Sequence, residues 1–199
     1  MLNGGAGADR LVGNAGNDTY VVDVATDVVV EGVNGGTDTV RTSLASYVLG
    51  ANVENLTYTG LGNFNGTGNT LANTITGGAG NDVLNGGAGN DILNGGAGND
   101  TVTGGAGNDT MDASSGNDIF LFAAGFGTDR ITGFDVNAGG GQDRINIAAL
   151  NITAATFASR VTIIDAGADT LLNFGGADSI RLVGVADATT VTATDFLLS

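Results

Sequence analysis

The sequence predicts an all-β chain, a parallel β-roll (a β-helix solenoid) of nonapeptide repeats closed by a β-rich C-terminal cap. Three observations predict it. A nine-residue unit recurs in tandem, one position of that unit is always apolar, and glycine supplies 36 of 199 residues while proline is absent. Periods of this kind build stacked architectures in which each unit contacts only its neighbours.

Composition first removes whole classes of chemistry. The chain lacks Cys and His, so it has no disulfide framework, no thiol nucleophile, no Ser-His-Asp triad and no His-ligated metal. Its formal net charge is −15, opposite in sign to the basic footprint of nucleic-acid binders. No apolar run reaches the length of a membrane span. The first residues, Met1-Leu2-Asn3-Gly4-Gly5, have neither a basic nor an apolar stretch, so no cleavable signal peptide is expected.

The repeat is clearest at 77–85, GGAGNDVLN, then GGAGNDILN at 86–94, GGAGNDTVT at 95–103 and GGAGNDTMD at 104–112. Position eight is Leu84, Leu93, Val102 and Met111. Weaker copies keep the frame at 68–76, where Asn73 replaces Asp, and at 113–121, which retains Asp118. Near the start, 4–12 and 13–21 carry Asp9 and Asp18. The glycines of G-G-x-G-x-D make a turn, and the three residues after Asp make a strand whose middle side chain, at position eight, points inward. Two units form one coil with turns on opposite edges. Same-edge neighbours are therefore alternate repeats: Asp82, Asp100 and Asp118 on one edge, Asp91 and Asp109 on the other.

Stacked strands lie about 4.8 Å apart, so each edge carries a ladder of carboxylates at that step. No Arg lies between Arg41 and Arg130 to offset the repulsion, and Lys is absent. A divalent cation between successive turns would offset it. The available donors are carboxylates and turn carbonyls, hard oxygens that suit Ca²⁺ better than the strictly octahedral Mg²⁺. Candidate carbonyl ligands are the odd positions of the turns: Gly77 and Ala79, Gly86 and Ala88, Gly95 and Ala97, Gly104 and Ala106.

GGAGNDVLN and its neighbours resemble the repeats-in-toxin (RTX) nonapeptide GGxGxDxUx, where U is a large apolar residue. The resemblance implies a parallel β-roll holding several Ca²⁺ ions, in a chain secreted to the extracellular space by a type I apparatus. It also implies folding on calcium after export, and a role in stabilising or presenting an attached domain rather than in catalysis. An alternative within the same resemblance is a carbohydrate-binding or adhesive module for an extracellular polysaccharide, as in mannuronan epimerases. An uncleaved C-terminal export signal is a further implication, and Thr194-Asp195-Phe196-Leu197-Leu198-Ser199 is similar to one.

The remaining segments follow from these rules. Residues 1–121 are expected to form the roll, with 68–121 its best calcium repeats. Residues 22–67 read as degenerate, metal-free rungs, except that Asp27 still occupies position six and is a candidate metal ligand with Asp9 and Asp18; Asn52, Asn55, Asn63 and Asn65 can form amide ladders. Strands are expected at 39–41, 47–49 and 56–58. Residues 122–199 read as cap and export region, opening with two last turns, Gly125 to Asp129 and Gly139 to Asp143, whose Asp129 and Asp143 are further candidate ligands. Strands follow at 130–132, 144–147, 161–164, 170–174 and 179–183. Asn73, Asp165, Asp169, Asp178 and Asp187 read as turn residues, and Tyr20, Tyr47 and Tyr58 as packing residues before any exposed sugar-stacking row.

Overall fold

Leu93 lies nine residues from Leu84 in sequence but faces it from the opposite sheet, and its backbone partners lie eighteen residues away. In the computed structural model, which describes residues 1–112, 114–136 and 142–199, Ile92–Ala97 pairs in parallel with Thr74–Ala79 on one side and Thr110–Asp112 on the other. Val83–Ala88 pairs likewise with Asn65–Thr67 and Thr101–Ala106. Odd and even repeats thus separate into two sheets, as the two-units-per-coil reading requires.

The larger sheet has eleven strands and the second has seven, and together they form a β-solenoid of about seven turns. Arg10–Asn14 and Val28–Glu31 form a small third sheet at the N-terminal end. Strands in the central repeats run six residues, through positions seven to nine and on into the first three of the next turn. That is twice the expected length, because the glycine pair stays extended enough to keep pairing.

Position eight forms the core. Leu84, Leu93 and Met111 are fully buried and Val102 nearly so, while Val83 and Ile92 at position seven point outward. The column continues through Phe120, Ile131, Ile145 and Leu182 in the same apolar cluster. Each such side chain contributes about 1.5–3 kcal/mol by leaving water. Tyr20 and Tyr58 are buried as well, Tyr58 stacked on Phe64 with centroids 4.6 Å apart, and Tyr47 packs against the cluster.

Strands at Thr39–Thr42, Ser46–Val48 and Asn55–Tyr58 give the degenerate region its rungs. Beyond Leu121 the sheets run on through Thr128–Thr132, Arg144–Asn146, Ser179–Val183 and Phe196–Leu197. Among the described residues only Thr162–Asp165 and Thr170–Asn173 break the pattern, adding to Ser179–Val183 as an antiparallel meander. Gly139, Gly140 and Gly141 of the second C-terminal turn lie outside the described residues, as does Ala113. Among the described residues no helix is long and apolar enough to cross a membrane.

The tail is part of this architecture. Asp195 is buried and accepts hydrogen bonds from Gln142 Nε2 and Thr192 N, each at 2.7 Å. Phe196 packs against Phe157 with ring centroids 4.8 Å apart. The last residues therefore contribute to folding, more than a short dangling signal would.

Candidate metal centre

Each repeat turn places its glycines for two reasons. Positions two and four need positive φ, as at Gly96 (99°) and Gly98 (129°). Position one needs space: a Cβ on Gly95 would collide with the Asp100 carboxylate, and one on Gly77 with Asp82 Oδ2. Glycine at position one therefore answers a close approach of the turn's own Asp rather than an unusual backbone angle.

The aspartates form the expected ladders. Asp100 Oδ1 accepts the backbone N–H of Asp82 at 2.8 Å, and Asp118 Oδ1 accepts that of Asp100 at 2.7 Å. On the other edge Asp109 Oδ1 accepts from Asp91 N and Asp129 Oδ1 from Asp109 N, both at 2.8 Å. Asp143 Oδ1 caps the first ladder by accepting from Asp118 N at 2.9 Å. Further along, Asp27 Oδ1 accepts from Asp9 N and Asp38 Oδ1 from Asp18 N.

The second carboxylate oxygen behaves differently. Oδ2 of Asp9, Asp38, Asp82, Asp91, Asp100, Asp109, Asp118 and Asp129 is buried and has no hydrogen-bond partner. Leaving one buried acceptor unmet costs about 1–3 kcal/mol, and more when it is charged. Carbonyl oxygens crowd the same turns. Gly95 O lies 2.9 Å, and Asp82 Cγ also 2.9 Å, from where a Gly77 Cβ would stand. Gly104 O holds the matching place beside Gly86, near Asp91 Oδ2. Position-one carbonyls therefore face the preceding turn on their edge. Gly78 O and Gly80 O abut Gly96 and Gly98, so the even positions face the following turn.

Between stacked turns, then, lie carbonyl oxygens from both sides and an unpartnered carboxylate oxygen. This donor set fits Ca²⁺, which takes six to eight oxygens at about 2.3–2.6 Å. Gly86, Gly95 and Gly104 are placed to offer carbonyls, as are Ala97 and Ala106. Ala97 O and Ala106 O also accept from Gly80 N and Gly89 N, which uses one lone pair of each. The even-position carbonyls, here Gly78 and Gly80, serve the other neighbouring turn, as the alternation of an extended chain predicts.

Electrostatics follows burial. Withdrawal from water raises the carboxyl pKa of Asp82, Asp100, Asp109 and Asp143, and lifts Asp91 to about 6. Burial also brings Asp118 and Asp129 to about 7, with the charges of Asp143 and Asp109 respectively adding to the effect. In each case the backbone N–H at Oδ1 pulls the other way but does not win.

Three positions differ from the pattern. Asp27 and Asp143 have both oxygens engaged, the second ones by Val24 N and Asp135 N. Asn73 needs no ion: its Oδ1 accepts from Asn69 N, and its Nδ2 donates to Val53 O and Glu54 O at 3.1 Å. Asp178, read as a turn residue, closes the Gly125 turn by accepting from Gly125 N and Gly127 N. Asp169 pairs with Arg181 at 3.0 Å.

The model of the RTX calcium-binding nonapeptide repeat matches residues 1–29, 67–102 and 89–120, in four copies. A subunit of a mannuronan C5-epimerase from Azotobacter vinelandii is 31% identical, covering 70% of this chain and 79% of that one, with a TM-score of 0.36. The chain belongs to the RTX calcium-binding repeat family. A second subunit of an epimerase of that name is 30% identical over 67% of the RTX chain and 91% of its own, with a TM-score of 0.30. An extracellular lipase from Serratia marcescens shares the fold at 15% identity and a TM-score of 0.53, covering 97% of the RTX chain but 39% of the lipase. No curated protein sequence matches significantly. RTX nonapeptide repeats bind calcium, and the repeat solenoid is in itself a structural module.

Proposed function

We propose that the chain is a calcium-triggered folding module of a secreted protein, unfolded while a type I apparatus exports it and folded once it meets extracellular calcium. The single observation that carries this is the row of buried, unpartnered Oδ2 atoms. Without an ion the roll must bury several unmet anionic oxygens, and with ions those same atoms become ligands. Binding free energy is then folding free energy. Extracellular calcium modules commonly bind in the range of about 10⁻⁴–10⁻³ M, well above cytosolic calcium. Once folded, the stiff roll stabilises or presents whatever domain is joined to it.

The ligands of this reading are Asp82, Asp91, Asp100, Asp109 and Asp118 with the carbonyls of their turns, joined by Asp9 and Asp129 at the ends. The N-terminal edge adds Asp18 beside Asp38. Asp27 and Asp143, whose oxygens are already engaged, act mainly by holding turns in place. Export and secreted localisation rest on the family and on the extracellular lipase that shares the fold. Circular dichroism in EDTA and in millimolar Ca²⁺ tests the reading. A β-type spectrum and a cooperative melt appearing only with Ca²⁺ are expected, and an unchanged spectrum and melting temperature would refute it.

Polysaccharide binding is the second reading, favoured by the identity to epimerase subunits. Its aromatic platform is withdrawn, since Tyr20 and Tyr58 lie in the core. Contact would have to run through the polar sheet faces, and a glycan array in saturating Ca²⁺ tests it.

A further inference from the structure

We propose a self-modification site at Asn34, where the folded chain converts a side-chain amide to a carboxylate while other Asn-Gly pairs in the roll are protected. Asn-Gly occurs five times, at Asn3, Asn34, Asn65, Asn85 and Asn94. In such a pair the glycine nitrogen can reach the asparagine Cγ, because no Cβ on the second residue crowds the approach. The nitrogen gives up its proton to solvent base and bonds to Cγ, and Nδ2 leaves as ammonia. Water then opens the cyclic imide at either carbonyl, leaving aspartate or isoaspartate. Water is consumed, ammonia is released, and no atom changes oxidation state.

The fold sorts these pairs. Asn94 lies between Thr76 and Asp112 in its sheet, each on a neighbouring parallel strand. Asn85 lies likewise between Thr67 and Thr103, and Asn65 between Ser46 and Val83. Ring closure at any of the three would rotate a peptide out of a ladder paired on both sides. That gives up strand hydrogen bonds worth about 0.5–1.5 kcal/mol each and requires the coil to open locally. Asn3 ends its strand, with Oδ1 accepting from Gly5 N at 2.9 Å, and is intermediate.

Asn34 is held differently. It lies in the turn between Val28–Glu31 and Thr39–Thr42, outside every strand. Its side chain is exposed and its φ of 59° is in the left-handed region. Gly35 N donates to Gly32 O at 3.2 Å, a longer bond than the 2.8 Å from Gly68 N to Asn85 O in the paired sheet. A small cavity lined by Asn52, Glu54 and Leu71 borders Asn34 and gives water a route to the imide.

The product matters because of its surroundings. A carboxylate at 34 would line the same cavity as Glu54, in the turn that leads to Asp38, whose Oδ2 is buried and unpartnered. Among the described residues the only ion pair is Arg181–Asp169, so no arginine offsets the added charge. Isoaspartate also inserts a methylene into the backbone of the turn. The N-terminal coil therefore loosens as the folded chain ages, while the central repeats keep their amides.

Peptide mapping by mass spectrometry tests this on the full chain, held at mildly alkaline pH in Ca²⁺ or in EDTA, with dichroism recording the fold in each buffer. In the folded chain Asn34 should deamidate at least about tenfold faster than Asn65, Asn85 and Asn94. Isoaspartate should accompany aspartate at 34, and in an unfolded chain the four rates should converge. Asn34→Gln should remove the early mass gain from that peptide and leave the other rates unchanged, because the longer side chain closes its ring far more slowly. Equal rates at 34 and 85 in the folded chain, aspartate alone at 34, or an early mass gain that survives in Asn34→Gln would overturn the proposal. A chain that stays folded in EDTA would refute the calcium reading instead, and the contrast between sites should then persist in both buffers.

Discussion

The Asp100 turn and the Asn73 turn solve one electrostatic problem in two ways. Both bury a position-six side chain against the carbonyls of a neighbouring turn. Asp100 accepts one N–H and leaves Oδ2 unmet, whereas Asn73 turns its Nδ2 into a donor to Val53 O and Glu54 O. Asn69 reinforces it, donating through Nδ2 to Gly50 O and Val53 O at 2.8 Å. Amide hydrogens there do what a cation would do in the proposed sites: they satisfy carbonyl oxygens that face one another. The comparison teaches that the need for a cation, on the proposed reading, resides in single atoms of the turn and not in the solenoid as such.

Acidity should give the largest effect, because it acts on the aspartate turns from Asp82 to Asp143 and spares the asparagine one. Burial raises the carboxyl pKa in the folded chain above the ordinary value of 3.8, to about 6 for Asp91 and about 7 for Asp118 and Asp129. Groups raised on folding add stability below their unfolded pKa, and that stability is lost as pH rises through the folded value. In EDTA, therefore, residual structure should be greatest near pH 4 and vanish by about pH 7, while calcium affinity runs the opposite way. Dichroism against pH with and without Ca²⁺ checks this, and an apo chain that becomes more ordered toward neutral pH would break the account.

Next in size is Asp100→Ala, which removes a ligand oxygen between two same-edge partners and strands the Asp82 N–H. The unmet donor alone costs about 1–3 kcal/mol. Asp9→Ala, at the open end of the roll, should cost clearly less. Calcium titrations of the two variants should differ in midpoint and in ion count, and equal losses would contradict the shared-ligand ladder.

Asp100→Asn is the sharper exchange, making an aspartate turn resemble the Asn73 turn. It should lower the number of bound ions while raising stability in EDTA, because a buried charge disappears. The reverse change, Asn73→Asp, should act in the opposite direction, because it buries an unpartnered carboxylate oxygen against the Val53 and Glu54 carbonyls. It gives up two hydrogen bonds worth about 1 kcal/mol each, and should increase the chain's dependence on calcium.

Much of this was legible where the period holds. Leu84, Leu93, Val102 and Met111 keep an eighteen-residue coil, so their facing and pairing followed from spacing alone. Legibility fell where the coil length changes. Asp18 to Asp38 is twenty residues, Asp38 to Glu54 sixteen, and Asp118 to Asp143 twenty-five, yet each pair shares a ladder hydrogen bond. Turns absorb such insertions without disturbing strands, so a fixed frame loses them. The burial of the tail was not legible, because it depends on Phe157 and Gln142, which are distant in sequence.

The most direct test is a crystal structure grown in Ca²⁺, with the ions located by their anomalous scattering. The account predicts ions between the 77–82 and 95–100 turns and between the 86–91 and 104–109 turns, each bonded to an Asp Oδ2. It predicts none between residues 50–54 and the Asn69–Asn73 turn. An ion in that amide-filled gap, or aspartate turns that close without one, would contradict it.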